Sequence, residues 1–98
     1  GGTKLNPENV EELAKEFQGV IDAGVCLIEQ VAGIEEVAIA VVCEKALDLR
    51  ELDQMLRARL SIGHPTVFTS AHEIPRNRMG KVVREELKNQ ILRDLSLS

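Results

Sequence analysis

The sequence is poor in aromatic side chains and has no long apolar run. Of its 98 residues, none is Trp or Tyr and two are Phe, so it lacks the ring platforms on which single-stranded nucleic acids stack. No apolar run is long enough to cross a bilayer, and no basic-then-apolar signal segment opens the chain. The net charge of −4 also disfavours nucleic acid or an acidic membrane as a partner.

Cysteine is scarce as well. Cys26 and Cys43 both lie inside apolar runs, where a free thiol packs like a small hydrophobic side chain. Their spacing to His64 and His72 matches no zinc pattern. We therefore expect a reduced, metal-free cytoplasmic protein. The chain begins at Gly1 without Met, and we expect it to be one part of a longer protein.

The patterns that are present predict one small α+β domain. Asn6-Pro7 and the pair Asp48 and Glu51 are helix-start signals, and Gly19 is a stop signal for the first helix. Apolar periodicity predicts strands over 20–29, 37–43 and 65–70, and a last helix over about 83–95. The order of elements indicates a small mixed sheet of about three strands with about three packed helices.

The two longest strands are predicted to differ in burial. Residues 20–29 alternate like a half-buried strand, with Ile21, Ala23, Val25 and Leu27 on one face. Residues 37–43 are apolar on both faces, which is typical of a central strand.

A polar loop before the last helix concentrates positive charge. Arg76, Arg78, Lys81 and Arg84 lie in this loop and at the helix start, where cations are unfavourable and backbone N–H groups attract anions. The arrangement predicts a phosphate or carboxylate site, with Gly80 allowing close approach or a positive φ. The same four side chains could equally form a solvated surface. The loop is not a P-loop, because Pro75 stands where that motif needs Gly.

Both ends of the chain resemble one known family. Residues 75–84 read Pro-Arg-Asn-Arg-Met-Gly-Lys-Val-Val-Arg, and residues 1–11 read Gly-Gly-Thr-Lys-Leu-Asn-Pro-Glu-Asn-Val-Glu. The first resembles the last core motif of the adenylate-forming superfamily, Pro-basic-Thr-x-(Thr/Ser)-Gly-Lys-(Ile/Val)-x-Arg. The second resembles that family's Gly-x-(Arg/Lys)-Ile-x-Pro-x-Glu-(Ile/Val)-Glu segment. The family includes acyl- and aryl-CoA synthetases, luciferases and peptide-synthetase adenylation domains.

The chain departs from the family pattern at three places. Asn77 and Met79 replace the expected Thr or Ser, and Gly63-His64 replaces a common Tyr-Lys. The connection between the first two strands is also shorter. These departures bear on the subfamily, and hence on the acid substrate.

The resemblance implies that residues 1–98 are a C-terminal lid domain. Family members join a carboxylic acid to ATP, with Mg²⁺, and many pass the acyl group to the thiol of CoA or of a carrier protein's phosphopantetheine. Lys81 matches the adenylation lysine, and the positions matching substrate-binding residues are Gly2, Lys4, Gly80 and Arg76. The implied partner is a large N-terminal domain that holds the ATP and acid pockets, so we expect the isolated fragment to be inactive.

Two other functions remain open at this stage. The chain could be an interaction domain that kept the fold and lost the reaction. It could also be a small nucleic-acid-binding module that uses the basic loop, although composition disfavours this.

Overall fold

The computed structural model describes residues 5–97, so Gly2 and Lys4 lie outside the described residues. It has three helices and three strands, in the order predicted: α1 Pro7–Lys15, β1 Val20–Val31, β2 Ile34–Cys43, α2 Leu49–Arg59, β3 Thr66–Ser70 and α3 Arg84–Leu97. The predicted α+β class is therefore confirmed. Within 5–97, no helix is both long enough and apolar enough to cross a membrane.

Side-chain caps begin the first two helices where the sequence predicts. Asn6 Oδ1 accepts the Glu8 N–H at 3.0 Å, and Pro7 follows at the first helical position. Asp48 Oδ1 accepts the Glu51 N–H at 3.1 Å. Each cap satisfies a backbone donor that the helix itself cannot pair.

The sheet has the order β1-β2-β3, with β2 in the centre. β1 and β2 pair antiparallel, whereas β2 and β3 pair parallel, which makes the sheet mixed as predicted. β1 and β2 are longer than predicted because they continue to a tight turn, in which Gly33 takes a φ of 84°. Only Gly adopts such a φ without steric cost.

Helices cover both faces of the sheet. α1 and α2 pack on one face, against a cluster that includes Val25, Ile39 and Leu56. α3 packs on the other face, where Leu87 and Ile91 contact Cys26 and Ile28. Both phenylalanines are partly buried against the first cluster, so neither offers an exposed ring to a nucleobase.

The prediction of a half-buried β1 is wrong in the middle of the strand. Residues 23–26 are buried on both faces, because α1 covers one side and α3 the other. Outside that stretch, Ile21 is 55% exposed and Leu27 is 37% exposed. Alternation alone could not show that a third helix lies on the second face.

Gly24 lies where the α3 layer approaches β1 closely. A Cβ atom at Gly24 would lie 2.8 Å from Ile74 Cγ2 and 2.9 Å from Leu87 Cδ2. Both distances are shorter than normal carbon–carbon contact. The absence of a side chain at Gly24 therefore sets how closely the α3 layer packs on the sheet.

Candidate functional site

Lys81 lies at the end of a tight hairpin that leads into α3. The Asn77 N–H donates to the Lys81 carbonyl at 2.9 Å, and the Gly80 N–H donates to the Asn77 carbonyl at 3.0 Å. Arg76 and Val82 form one antiparallel bridge beneath this loop. Gly80 has a φ of 82°, as a hairpin with a three-residue loop requires at its last loop position. The positive φ predicted for Gly80 is confirmed.

The side chain of Asn77 organises the hairpin from inside. Its Oδ1 accepts the Met79 N–H at 2.9 Å and the Lys81 N–H at 3.1 Å. The backbone of Lys81 is thus held through both its N–H and its carbonyl. Sequence reasoning treated Asn77 only as a departure from the family pattern. The available signal was an Asn followed three residues later by Gly, which is typical of a side-chain-capped turn.

The ammonium group of Lys81 projects into solvent from this fixed backbone. Its side chain is 66% exposed, and Nζ lies 3.8 Å from Glu8 Oε1 on α1. An exposed ion pair of this kind contributes about 0–1 kcal/mol, so Glu8 does not hold the ammonium firmly. Lys81 can therefore reach a phosphate or carboxylate presented to it.

A shallow polar cleft separates the hairpin from α1. Its volume is about 220 Å³, below the roughly 300–1,000 Å³ of typical ligand pockets. It is lined by Glu8, Asn9, Glu11, Glu12, Lys15, Arg76, Gly80, Lys81, Val82 and Arg84. The cleft is too small to enclose a nucleotide, so a ligand of Lys81 would need most of its contacts from elsewhere.

Arg76 connects the first limb of the hairpin to β1. Its Nη2 donates to Asp22 Oδ1 at 2.6 Å, its Nε donates to Asp22 Oδ2 at 3.3 Å, and its Nη1 donates to the Gly80 carbonyl at 2.7 Å. Hydrogen bonding to Asp22 raises the pKa of Arg76. Arg76 therefore supports the loop from inside the chain, and its predicted contact with substrate stays a prediction.

Arg84 connects the second limb to both α1 and β1. Its Nη1 lies 2.6 Å from Glu11 Oε2 and 2.6 Å from the Val25 carbonyl oxygen. Glu11 is only 5% exposed, and its Oε2 also accepts the Val25 N–H at 2.8 Å. A cation can begin α3 because this buried carboxylate neutralises it.

Of the four cations from which an anion site was predicted, fewer are therefore available to bind a ligand. Arg76 and Arg84 are bound to internal carboxylates, whereas Arg78 and Lys81 are exposed. The spacing of basic residues could not show this, because their partners lie 54 and 73 positions away in the chain. The sequence did not reveal the roles of Asp22 and Glu11, as it did not reveal that of Asn77.

A larger surface cavity than the Lys81 cleft lies elsewhere, between α2 and β3. It has a volume of about 560 Å³ and is lined by residues 57–64. Arg57 orders this loop by donating to the carbonyls of Ile62 and His64, while Asp53 accepts from both Arg57 and Thr66. The residues between 5 and 97 hold no cluster of three side chains suited to a metal ion.

Comparisons with known proteins show which solved structures share this fold. No protein-family model matches the sequence, and no curated protein matches it. Among solved structures, o-succinylbenzoate CoA synthetase from Bacillus subtilis, in complex with the acyl-adenylate intermediate OSB-AMP, matches at 28% identity and a TM-score of 0.75. The match covers 90% of this chain and 18% of that chain.

Two further structures match over a similar range. An ATP-bound RpMatB-BxBclM chimera shares 26% identity over 92% of this chain, with a TM-score of 0.74. A fatty acyl CoA synthetase from Mycobacterium tuberculosis shares 25% identity over 92%, with a TM-score of 0.71. The matched part is 19% and 18% of those chains, so this chain spans under a fifth of their length. It matches the C-terminal domain of the adenylate-forming acyl- and aryl-CoA synthetases, the family that its two end motifs resemble.

Proposed function

We propose that this chain is the mobile C-terminal domain of an ATP-dependent ligase that joins a carboxylic acid to a thiol, and that Lys81 serves its adenylate-forming step. The observation that carries the proposal is the presentation of Lys81. The ammonium group of Lys81 is exposed, while its backbone is fixed by Asn77. In the motif that resembles the family, Lys81 stands at the position of the adenylation lysine. The matched structures include an ATP complex and an acyl-adenylate complex.

The chemistry suits a lysine. The carboxylate oxygen of the acid attacks the α-phosphorus of ATP, a new P–O bond forms, and pyrophosphate leaves with the electrons of the broken bond. An ammonium group is a compact cation with three donors, so it can contact the attacking carboxylate and an α-phosphate oxygen together. A cation already in place where negative charge gathers accelerates such a step by about 10² to 10³.

The rest of the site would belong to a larger N-terminal domain of the same enzyme. The cleft beside Lys81 is too small for ATP, and residues 5–97 offer no metal cluster. ATP, its Mg²⁺ and the acid would therefore be held by that domain, and closure of this domain would bring Lys81 to them. The acyl acceptor would be the thiol of CoA or of a carrier protein's phosphopantetheine.

A second face of the domain is proposed for the thiol-transfer step. By resemblance, Gly2 would pass close to the acceptor's pantetheine chain, and Lys4 would contact a phosphate of nucleotide or CoA. This division of faces gives the proposal its sharpest test, since it separates the two half-reactions.

The test grafts this chain onto the Bacillus subtilis o-succinylbenzoate CoA synthetase in place of the segment it matches. We expect Lys81→Ala to lower o-succinylbenzoate-dependent ATP–pyrophosphate exchange by about 10² to 10³. Thioester release from supplied acyl-adenylate should change little. Lys45→Ala is the matched control, because Lys45 is also exposed but lies outside the cleft.

Three outcomes would contradict the proposal. Equal losses in both half-reactions would mean that Lys81 acts through folding or general binding. Exchange activity from the isolated chain, which should melt cooperatively but catalyse nothing, would contradict its assignment as a dependent domain. Unchanged exchange in Lys81→Ala would favour an interaction domain that kept only the fold.

A further inference from the structure

The Lys81 hairpin is attached to the rest of the domain at both of its limbs. Before Lys81, the fork of Arg76 binds Asp22 near the start of β1. After Lys81, Arg84 binds Glu11 of α1. Both attachments are charge-assisted hydrogen bonds at distances down to 2.6 Å, which makes them among the stronger contacts that side chains form.

The two attachments meet on the outer edge of β1. Glu11 Oε2 accepts the Val25 N–H, and Arg84 donates to the Val25 carbonyl. Asp22 Oδ1 accepts the N–H of Ala23 at 2.9 Å as well as the bond from Arg76. The hairpin is thus tied to β1 at residues 22–25, beside the stretch that is buried on both faces.

The tip of the hairpin has little packing around it. Met79 at its tip is 84% exposed, and a Cβ at Gly80 would meet nothing within 4 Å. Among residues 5–97, the Lys81 side chain forms one ion pair, with an exposed Glu8 at 3.8 Å. Apolar packing reaches the limb of the hairpin through the partly buried Val82 but not the tip, so the two ion pairs contribute to the direction in which Lys81 leaves the domain.

We propose that Glu11 and Asp22 are positioning residues for Lys81. Each is a carboxylate that anchors one limb of the hairpin through an arginine, so that the ammonium meets its ligand in a preset place. The inference rests on the proposed function of Lys81. Neither carboxylate is assigned a contact with substrate. The charged ends of the two family motifs, Glu11 and Arg84, would thus be needed together because they bind each other.

The first experiment uses the chain alone and needs no activity. Glu11→Gln and Asp22→Asn remove one charge each while keeping size and an acceptor oxygen. A lysine-specific endopeptidase, which spares the exposed Arg78 in the same hairpin, should cleave after Lys81 mainly when the hairpin opens, and its rate then follows the open population. We expect both variants to raise the rate of cleavage after Lys81 by about tenfold. Asp53→Asn makes the same chemical change beside Arg57 and should leave that rate unchanged.

The second experiment measures adenylation in the grafted enzyme. A loosened hairpin should lower kcat for pyrophosphate exchange by about tenfold, because a small misplacement of a reacting group is costly. KM for ATP should stay within about twofold, since the nucleotide pocket lies in the other domain. Asp53→Asn should lower the melting temperature without this loss of kcat.

The outcomes separate the two proposals. Unchanged cleavage after Lys81 in both variants would overturn the positioning role, whatever Lys81 does. Faster cleavage with unaltered kcat would overturn it too. Unchanged pyrophosphate exchange in Lys81→Ala would instead contradict the proposed function and leave the cleavage result standing. If Glu11→Gln fails to fold, Asp22→Asn still decides, because Asp22 lies at a partly exposed site.

Discussion

Replacing Gly24 by Ala should destabilise the domain, although Ala is normally the better residue. In an ordinary strand, replacing Gly by Ala raises the free energy of unfolding by about 0.5–1 kcal/mol, because an unfolded chain with Ala has less conformational freedom to lose on folding. Here the new methyl would lie 2.8 Å from Ile74 Cγ2 and 2.9 Å from Leu87 Cδ2. Overpacking of this kind costs about 1–3 kcal/mol, so the net loss should be about 1–2 kcal/mol.

Thermal melting followed by circular dichroism measures this loss. For a domain of this size, 1 kcal/mol shifts the melting temperature by about 4–8 °C, so Gly24→Ala should melt about 5–15 °C lower. Gly63→Ala is the control, because Gly63 has open space around it and no positive φ. It should leave the melting temperature unchanged or slightly raised.

A double-mutant cycle identifies the cause. In an Ile74→Ala background, one of the two close contacts is gone, so Gly24→Ala should cost clearly less than it does in the natural chain. An unchanged cost in that background, or a melting temperature that rises in the single variant, would refute the close approach of the α3 layer to β1.

Two further predictions concern the hairpin and the thiols. Gly80→Ala should lower pyrophosphate exchange in the grafted enzyme more than Gly80→Asn, because a φ of 82° strains Ala while Asn tolerates it; equal losses would mean that φ is not the constraint. Burial raises the pKa of the Cys26 thiol, despite the opposing charges of Lys88 and Arg84, so iodoacetamide at pH 8 should alkylate it far more slowly than the half-buried Cys43. The raised pKa of Cys26 stabilises the fold fully at pH values below the ordinary thiol pKa of about 8.5. Above that pH the stabilisation decreases, because the thiol ionises in the unfolded chain before it ionises in the folded chain. A free energy of unfolding in Cys43→Ala that does not fall between pH 8 and 10 would contradict this.

The parts of the fold that depend on neighbouring residues were predictable. The caps at Asn6 and Asp48 are local hydrogen bonds, and the apolar periods of α2 and β2 are read along one element. The two faces of β1 were not predictable, because their burial depends on where α1 and α3 dock. The length of the β1–β2 hairpin was missed because its polar outer part pairs backbone to backbone, without an apolar pattern.

The same distinction, between features set by neighbouring residues and features set by distant ones, applies to the candidate site. The positive φ of Gly80 follows from the turn, whereas the role of Lys81 follows from the motif and stays a prediction. The roles of Arg76 and Arg84 did not follow, because an arginine beside a helix start has the same sequence signature whether its partner is a ligand or a distant carboxylate. Only the fold shows that β1 and α1 supply those carboxylates.

The carboxylates that tie down the hairpin have a consequence for solubility. β1 is an edge strand, and edges with free N–H and C=O groups recruit strands from other molecules. Along residues 22–25, side chains already use the outward-facing Ala23 N–H and both backbone groups of Val25. A second chain would therefore find most of the outward-facing backbone groups of Ala23 and Val25 already hydrogen-bonded. A substitution at Glu11 or Arg84 would uncover the groups of Val25, so aggregation during expression should accompany the loss of an ordered Lys81.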